Sequence, residues 1–525
     1  MARRTTGVVL LWVACAAAGP PSARLPDAAA RAVDAVSADD LRGYVETLAS
    51  DGFAGRGVGD KGNRAAEEFI CAMLQRNGVT PAGPDGSCYQ NVEVYRPELG
   101  SRAHLMVSKE DGGILADLQA GADFYPLPET AEAVVSARLV FANHGVTAPD
   151  FKHDDYAHVD ARGAIVVVLE GEPDGLLGRA DAKLDEERAT LGAVAHKITD
   201  ALAHGARGVL VVSGYLPDYK SVWLDHPSVR AANYRLLSEL RGSTETVATI
   251  SDRAAAPVIK ALEKRESLTA TITPDVVVAV VTMHNVLGIV EGRDPRHRSE
   301  MVVVGAHLDH DGTDEDGRIY NGADDNASGT AAVVAAAAAF ARAAASGERP
   351  RRPVLFALWN GEEKGSLGAE AFVAAPQPAR RVVANLNLDM VGRHEEVPDP
   401  NDWRFHGFPR VDPASSANTL HVLGYSYSRD LVSELRAANE AVGLTLLEDY
   451  DQTPQSLLQR SDNWPFLAHG IPALFLTTGL HPQYHTPEDD TARIDFGKLT
   501  RVAKLAARAA WIIADGPEPR LKRIW

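Results

Sequence analysis

The residues in this chain best suited to chemistry are two histidines and a set of carboxylates at the ends of apolar runs. His307 follows the run 301–306, MVVVGA, and Asp325 lies in the polar loop beyond it, before an alanine-rich segment. Glu362 and Glu363 follow 354–359, Asp389 ends 382–388, and His485 lies in the loop after 471–477. Neutral imidazole and ionised carboxylate are both good zinc donors. Each residue alone has an ordinary alternative: His485 could cap a turn, the glutamates could be surface charge, and Asp389 could satisfy a loop amide. Their recurrence at strand-like ends, in the order His, Asp, Glu, Asp, His, favours one shared centre. Two histidines, two acidic ligands and one shared carboxylate would hold two zinc ions about 3.5–4 Å apart.

Such convergence needs a scaffold that brings distant strand ends together. Apolar runs at 285–290, 301–306, 354–359, 382–388, 419–423 and 471–477 alternate with helical patterns at 329–345, 365–374, 428–442 and 496–514. This alternation predicts an α/β fold with a mostly parallel central sheet sandwiched by helices. In such a sheet the C-terminal strand ends share an edge, which is where sites form. The run TAAVVAAAAAFARAAAS suits a helix packed closely on the sheet, given alanine's high helix propensity. Helical spacing also marks 39–50 and 63–77. From 137 to 215 the texture changes to short β-rich runs carrying no cluster of ligands, with a helix at 191–204; a further helix is expected at 257–262 and a strand at 275–281. We therefore expect a catalytic domain in two parts, 37–120 and 269–516, interrupted by a smaller β-rich insert, 121–268, and followed by a tail, 517–525. The segment GRGVGDKG matches a dinucleotide-binding pattern in letters, but a helix rather than a strand precedes it, so it is read as a glycine-rich turn.

Composition narrows the class. The 525 residues are 45% hydrophobic and 24% charged, as in ordinary globular proteins. A formal charge of -18 and a pI near 5.4 disfavour nucleic acid or an anionic membrane as partner. Arg3 and Arg4, an apolar segment at 7–18 and then small residues give the layout of an export signal over 1–22, too short for a membrane span of ~20 residues. The mature chain is expected outside the cytoplasm, with no integral membrane span. Cys15 could also be a lipidation site. Of three cysteines, Cys71 and Cys88 would remain after export, either as buried thiols or as a disulfide worth up to ~3 kcal/mol.

The motifs AHLDH, NGADDNASG, NGEEKGSLG, NLDMVGR, RSDNWPF and YHTPEDD, in that order and spacing, resemble the co-catalytic zinc aminopeptidases of the secreted bacterial leucyl aminopeptidase and aminopeptidase Y type. The resemblance covers 45–83 and roughly 282–513. It implies that His307 and Asp389 bind one zinc, that Glu363 and His485 bind the other, and that Asp325 bridges them. It also implies Glu362 as general base and Asp309 as the group that orients His307. Leu308 and Asn326 depart from the family's frequent choices, an aromatic and an aspartate, without removing a ligand. The sequon Asn326-Ala327-Ser328 falls inside a site motif and is read as accidental. The insert resembles a protease-associated domain.

Peptides with a free N-terminus are the implied substrates. Glu362 would take a proton from a water held between the two zinc ions, and Tyr484 could stabilise the oxyanion. A carboxypeptidase, a glutaminyl cyclase or a non-catalytic receptor of the same fold are the alternatives. The irregular segment 393–417 and its neighbours would shape side-chain preference; oligomeric state is not encoded in any of these patterns.

Overall fold

The computed structural model describes residues 25–521 apart from 128–129, 131–132, 172, 174–193, 214–233, 240–244, 315, 400–401, 406–407 and 453–456. The expected export signal with Cys15 and the last residues of the tail lie outside the described residues.

The alternation of apolar runs and helices builds a ten-stranded sheet. Its middle strands, Val354–Trp359, Glu300–His307, Arg381–Leu388 and Ala473–Thr477, lie side by side in that order and run parallel. Met301 and Val303 pack on one face with Trp359 and Phe372, while Val302, Val304 and Ala306 pack on the other against helix Gly329–Ala345. Burial on both faces is why these strands read as continuous apolar runs rather than alternating ones. The alanines of Gly329–Ala345 are nearly all buried, which lets that helix sit close to the sheet. By length and hydropathy 323–345 could cross a membrane, but 89% of its most apolar window is buried in the core.

The flanks of the sheet are antiparallel. Strand Val276–Val290 pairs with Val354–Trp359 on one side and with Tyr89–Leu99 on the other. The sequence separates 275–281 from 285–290, yet nothing between them breaks a strand: Thr282, Met283 and His284 continue the pairing with Glu93, Val92 and Asn91. On the opposite flank Thr419–Leu423 runs antiparallel to Ala473–Thr477 and pairs in parallel with the edge strand Thr445–Leu447. A second, eight-stranded sheet runs from Ile114–Gln119 to Phe124–Pro126 by way of His104–Lys109 and Leu268–Thr273. It has its own core, including Leu105, Phe124, Val167, Leu210 and Val258. Helices Val194–Ala203 and Asp252–Glu263 belong to this part of the chain.

The turn at GRGVGDKG follows the short helical segment Asp51–Arg56 and opens helix Lys61–Arg76, with no strand before it among the described residues. A Cβ on Gly62 would lie 1.8 Å from the Phe53 carbonyl oxygen, so that glycine serves close chain packing. Cys71 and Cys88 are joined as a disulfide that ties this helix to the start of Tyr89–Leu99.

A buried histidine ties the irregular 393–417 segment to the sheet. His421 Nε2 lies 3.1 Å from Glu395 Oε2 and Nδ1 lies 2.8 Å from Asp449 Oδ1, with the Tyr450 ring stacked on the imidazole. Burial pulls this imidazole down, but the hydrogen bonds and charges of Asp449 and Glu395 outweigh it and hold its pKa at about 9. The folded chain therefore binds the proton more tightly than the unfolded one. Its contribution to stability is complete below the ordinary value of 6.5 and is lost as pH rises through about 9. The unfolding midpoint should fall across that window, and the fall should be smaller in His421→Gln. An identical pH slope in the two proteins would refute the linkage.

Candidate metal centre

The parallel strands deliver the sequence-selected residues to one edge. His307 ends Glu300–His307, Asp389 directly follows Arg381–Leu388, and Glu362 and Glu363 follow Val354–Trp359 after Asn360 and Gly361. His485 lies in the loop beyond Ala473–Thr477, and Asp325 comes from the turn Ala323–Ser328 that leads into helix Gly329–Ala345. Asn326, next to Asp325, is fully buried. Its amide nitrogen donates to the Leu388 carbonyl, 2.9 Å, and its oxygen accepts from the backbone of Gly329, 2.9 Å, and Met390, 3.3 Å. An aspartate could not make the first of these bonds, which gives the departure at this position a structural reason. The burial also removes Asn326 from any glycosylation of the folded chain.

The distances sort the site into two groups. His307 Nε2 lies 3.3 Å from Asp325 Oδ1 and 3.2 Å from Asp389 Oδ1. His485 Nε2 lies 3.3 Å from Asp325 Oδ2 and 3.5 Å from Glu363 Oε2. The two oxygens of Asp325 thus face different histidines. Zinc bonds of about 2.0–2.2 Å in tetrahedral geometry place neighbouring ligand atoms roughly 3.3–3.6 Å apart. Both groups have close to that spacing, and their nitrogen and oxygen donors are the types zinc takes, so the residues fit the metal.

Other contacts are shorter and have the length of charge-assisted hydrogen bonds. His310 Nδ1 lies 2.7 Å from Glu363 Oε1, Asp311 Oδ2 lies 2.8 Å from His485 Nδ1, and Ser461 Oγ donates to Asp389 Oδ2 at 2.6 Å. His310 and Asp311 are also close enough to join groups of three potential ligands with Asp325, Glu363 and His485. Their shorter distances to Glu363 and His485 are those of hydrogen bonds to candidate ligands.

Asp309 divides its work in a way the sequence does not reveal. Its backbone carbonyl, 3.2 Å from His307 Nδ1, is closer than its carboxylate, 3.9 Å away. The carboxylate accepts from the amides of Glu362, 3.1 Å, and Glu363, 3.3 Å. His307 is therefore oriented through the main chain of Asp309, while the side chain fixes the glutamate pair. Asp489 does the same for the shared aspartate, accepting from the amides of Asp324 and Asp325, both 3.0 Å from its Oδ2. Arg56, from the glycine-rich turn, is buried and donates to the carbonyls of Leu308, Leu48, Asn321 and Gly322 at 2.6–2.9 Å. It clamps the segments that precede Asp309 and Asp325. Burial lowers its pKa to about 10, so it remains charged at neutral pH.

Burial and mutual proximity shift the ionisable groups of the site strongly. Burial pushes the Glu362 carboxyl well above its ordinary value despite His307, with Asp389 and Glu363 adding to the rise. Burial and Glu363 likewise raise Asp325. Burial pulls His307 and His485 down, but the surrounding carboxylates outweigh it, leaving His307 well above its usual value and His485 at about 10. Tyr484 stands edge-on to His485, ring centroids 4.1 Å apart, and burial with nearby Asp325 and Glu363 keeps its hydroxyl protonated. Together with Glu362, Asp325, Asp389 and His485 it lines a pocket to which Met390, Leu457, Phe475, Leu480 and the cationic Arg460 also contribute.

Of these residues His310, Asp311, Ser461, Asp489 and Arg56 were not assigned roles from the sequence. The available signal was that His310 and Asp311 extend the same strand end as His307, and that Ser461 and Asp489 lie inside RSDNWPF and YHTPEDD.

Residues 285–510, which contain all the candidate ligands, match the family described as Peptidase family M28. The chain is 26% identical over 226 residues to a probable leucine aminopeptidase of Arthroderma otae, covering 42% of this chain and 56% of that protein. It is 27% identical over 241 residues to Aminopeptidase YwaD of Bacillus subtilis, covering 44% of each. The chain thus spans about half the length of the curated relatives it matches. A solved aminopeptidase from Aneurinibacillus sp. strain AM-1 shares the fold, with a TM-score of 0.54 at 19% identity, covering 95% of this chain and 97% of that one.

Proposed function

We propose, from the membership of residues 285–510 in peptidase family M28, that this chain is a zinc-dependent aminopeptidase that removes N-terminal residues from peptides at a centre of two zinc ions. The observation that carries this reading is the sharing of Asp325, one oxygen toward His307 and the other toward His485. His307 and Asp389 would hold one ion, Glu363 and His485 the other, with Asp325 common to both. Zinc bound there would supply Lewis-acid polarisation of the peptide carbonyl and a water acidified toward neutrality.

The chain's own groups do the rest. Glu362 lies on the pocket wall, 3.9 Å from His307 Nε2, and would take the proton of the attacking water and return it to the leaving amine. Asp309, by holding both glutamate amides, keeps Glu362 and Glu363 in their separate directions. The Tyr484 hydroxyl would donate to the carbonyl oxygen as charge develops there. Carboxylates around the pocket, Asp389 among them, favour a cationic α-amino group at the substrate's end. A leucyl anilide should be cleaved and its N-acetylated form should not. Cleavage of N-blocked peptides from their C-terminus, or cyclisation of N-terminal glutamine without hydrolysis, would move the assignment to a carboxypeptidase or a glutaminyl cyclase.

We also propose that residues 1–22 direct export and are removed, a reading supported by the Arg3-Arg4 and apolar layout and by the Cys71–Cys88 bond, which suits an oxidising compartment. Intact mass of the mature protein should correspond to a chain beginning beyond 18; cytoplasmic protein still carrying Met1 would contradict export.

A further inference from the structure

We propose that His310 and Asp311 are positioning residues that set the zinc affinity of one of the two metal positions, that of Glu363 and His485, and leave the other nearly untouched. The inference rests on the two-zinc reading above.

The two positions share Asp325 but differ in what stands behind their histidines. At His307 the ring nitrogen turned away from the metal gap faces a backbone carbonyl, Asp309 O, at 3.2 Å, with the carboxylate no closer than 3.9 Å. At His485 the equivalent nitrogen faces the carboxylate of Asp311 at 2.8 Å. A carboxylate behind a ligating imidazole fixes the proton on the far nitrogen, leaves the lone pair of the near one aimed at the metal, and makes that nitrogen a better donor. Asp311 does this for His485 Nε2.

His310 acts on the other ligand of the same position. Its Nδ1, 2.7 Å from Glu363 Oε1, occupies that oxygen and leaves Oε2, 3.5 Å from His485 Nε2, to face the ion. The ring is held in place by its surroundings. His310 is fully buried, its amide donates to the Arg56 carbonyl at 3.3 Å, and its Cδ2 lies where a Cβ on Gly322 would approach to 2.5 Å. Thus a single strand end supplies a ligand to the first position through His307 and supports both ligands of the second through its next residues. The first position receives its corresponding support from elsewhere, through Ser461 on Asp389.

The test is a zinc titration of the metal-free full chain against a competing chelator, resolving two dissociation constants, with unfolding of the metal-free protein followed in parallel. Asp311→Asn keeps the shape and an acceptor oxygen but removes the charge. It should weaken one constant by about 10–100-fold while the other stays within about threefold. His310→Gln, which can still donate to Glu363 less rigidly, should weaken the same constant in the same direction. Both constants weakening together, or neither moving, in these variants overturns the proposal. If Asp311→Asn unfolds in the metal-free state, His310→Gln alone decides by the same criterion. A wild-type chain that binds two ions while the variants show no selectivity leaves the aminopeptidase reading intact; a wild-type chain that binds only one ion removes both.

Discussion

Glu362→Gln is expected to keep both zinc ions and lose at least about 10²-fold in kcat, the lower end of what a positioned base contributes. The two adjacent glutamates have different surroundings. Glu363 has one oxygen occupied by His310 and the other 3.5 Å from His485 Nε2, so both are committed to the metal position. Glu362 lines the pocket instead, with His307 Nε2 3.9 Å from its Oε2. Glutamine preserves the volume and the backbone amide that Asp309 holds, and removes only the ability to accept a proton. Near-normal kcat with full zinc in Glu362→Gln would show that the base lies elsewhere. Loss of zinc in Glu362→Gln but not in Glu363→Gln would show that the two roles are exchanged.

Asp325→Ala should act on metal and activity together. It removes one ligand atom from each position and the negative charge that screens two divalent cations about 3.5–4 Å apart. We expect zinc content to fall below one ion per chain and activity to fall with it. The metal-free variant should remain folded, so that the loss of zinc reports the loss of a ligand. Full zinc occupancy in Asp325→Ala would remove the shared-carboxylate geometry. Loss of zinc accompanied by unfolding of the metal-free chain would instead indicate a structural role.

The convergence of the candidate ligands was legible because a parallel sheet makes a simple promise: residues at C-terminal strand ends meet, however far apart they lie in sequence. His307, Glu363 and Asp389 follow apolar runs whose limits differ from the observed strands by a residue or so. What surrounds the ligands was less legible, because it depends on how loops fold back. Asp311 reaches His485 across 174 positions and Ser461 reaches Asp389 across 72. No periodicity announces such pairs. Arg56 is the sharpest case. Its segment looked like a glycine-rich turn and is one, but the turn delivers a buried guanidinium to the loops carrying Asp309 and Asp325. The strand Val276–Val290 reads in the sequence as two apolar runs because Thr282 and His284 interrupt it, yet its pairing with Tyr89–Leu99 continues through both.

The most direct test is zinc returned to chelator-treated protein while leucyl anilide cleavage is followed. Activity should be abolished by the chelator and restored as zinc is added, reaching its plateau at about two ions per chain. Activity that survives chelation, or that is fully restored by a single equivalent of zinc, would contradict a centre built on the shared carboxylate of Asp325.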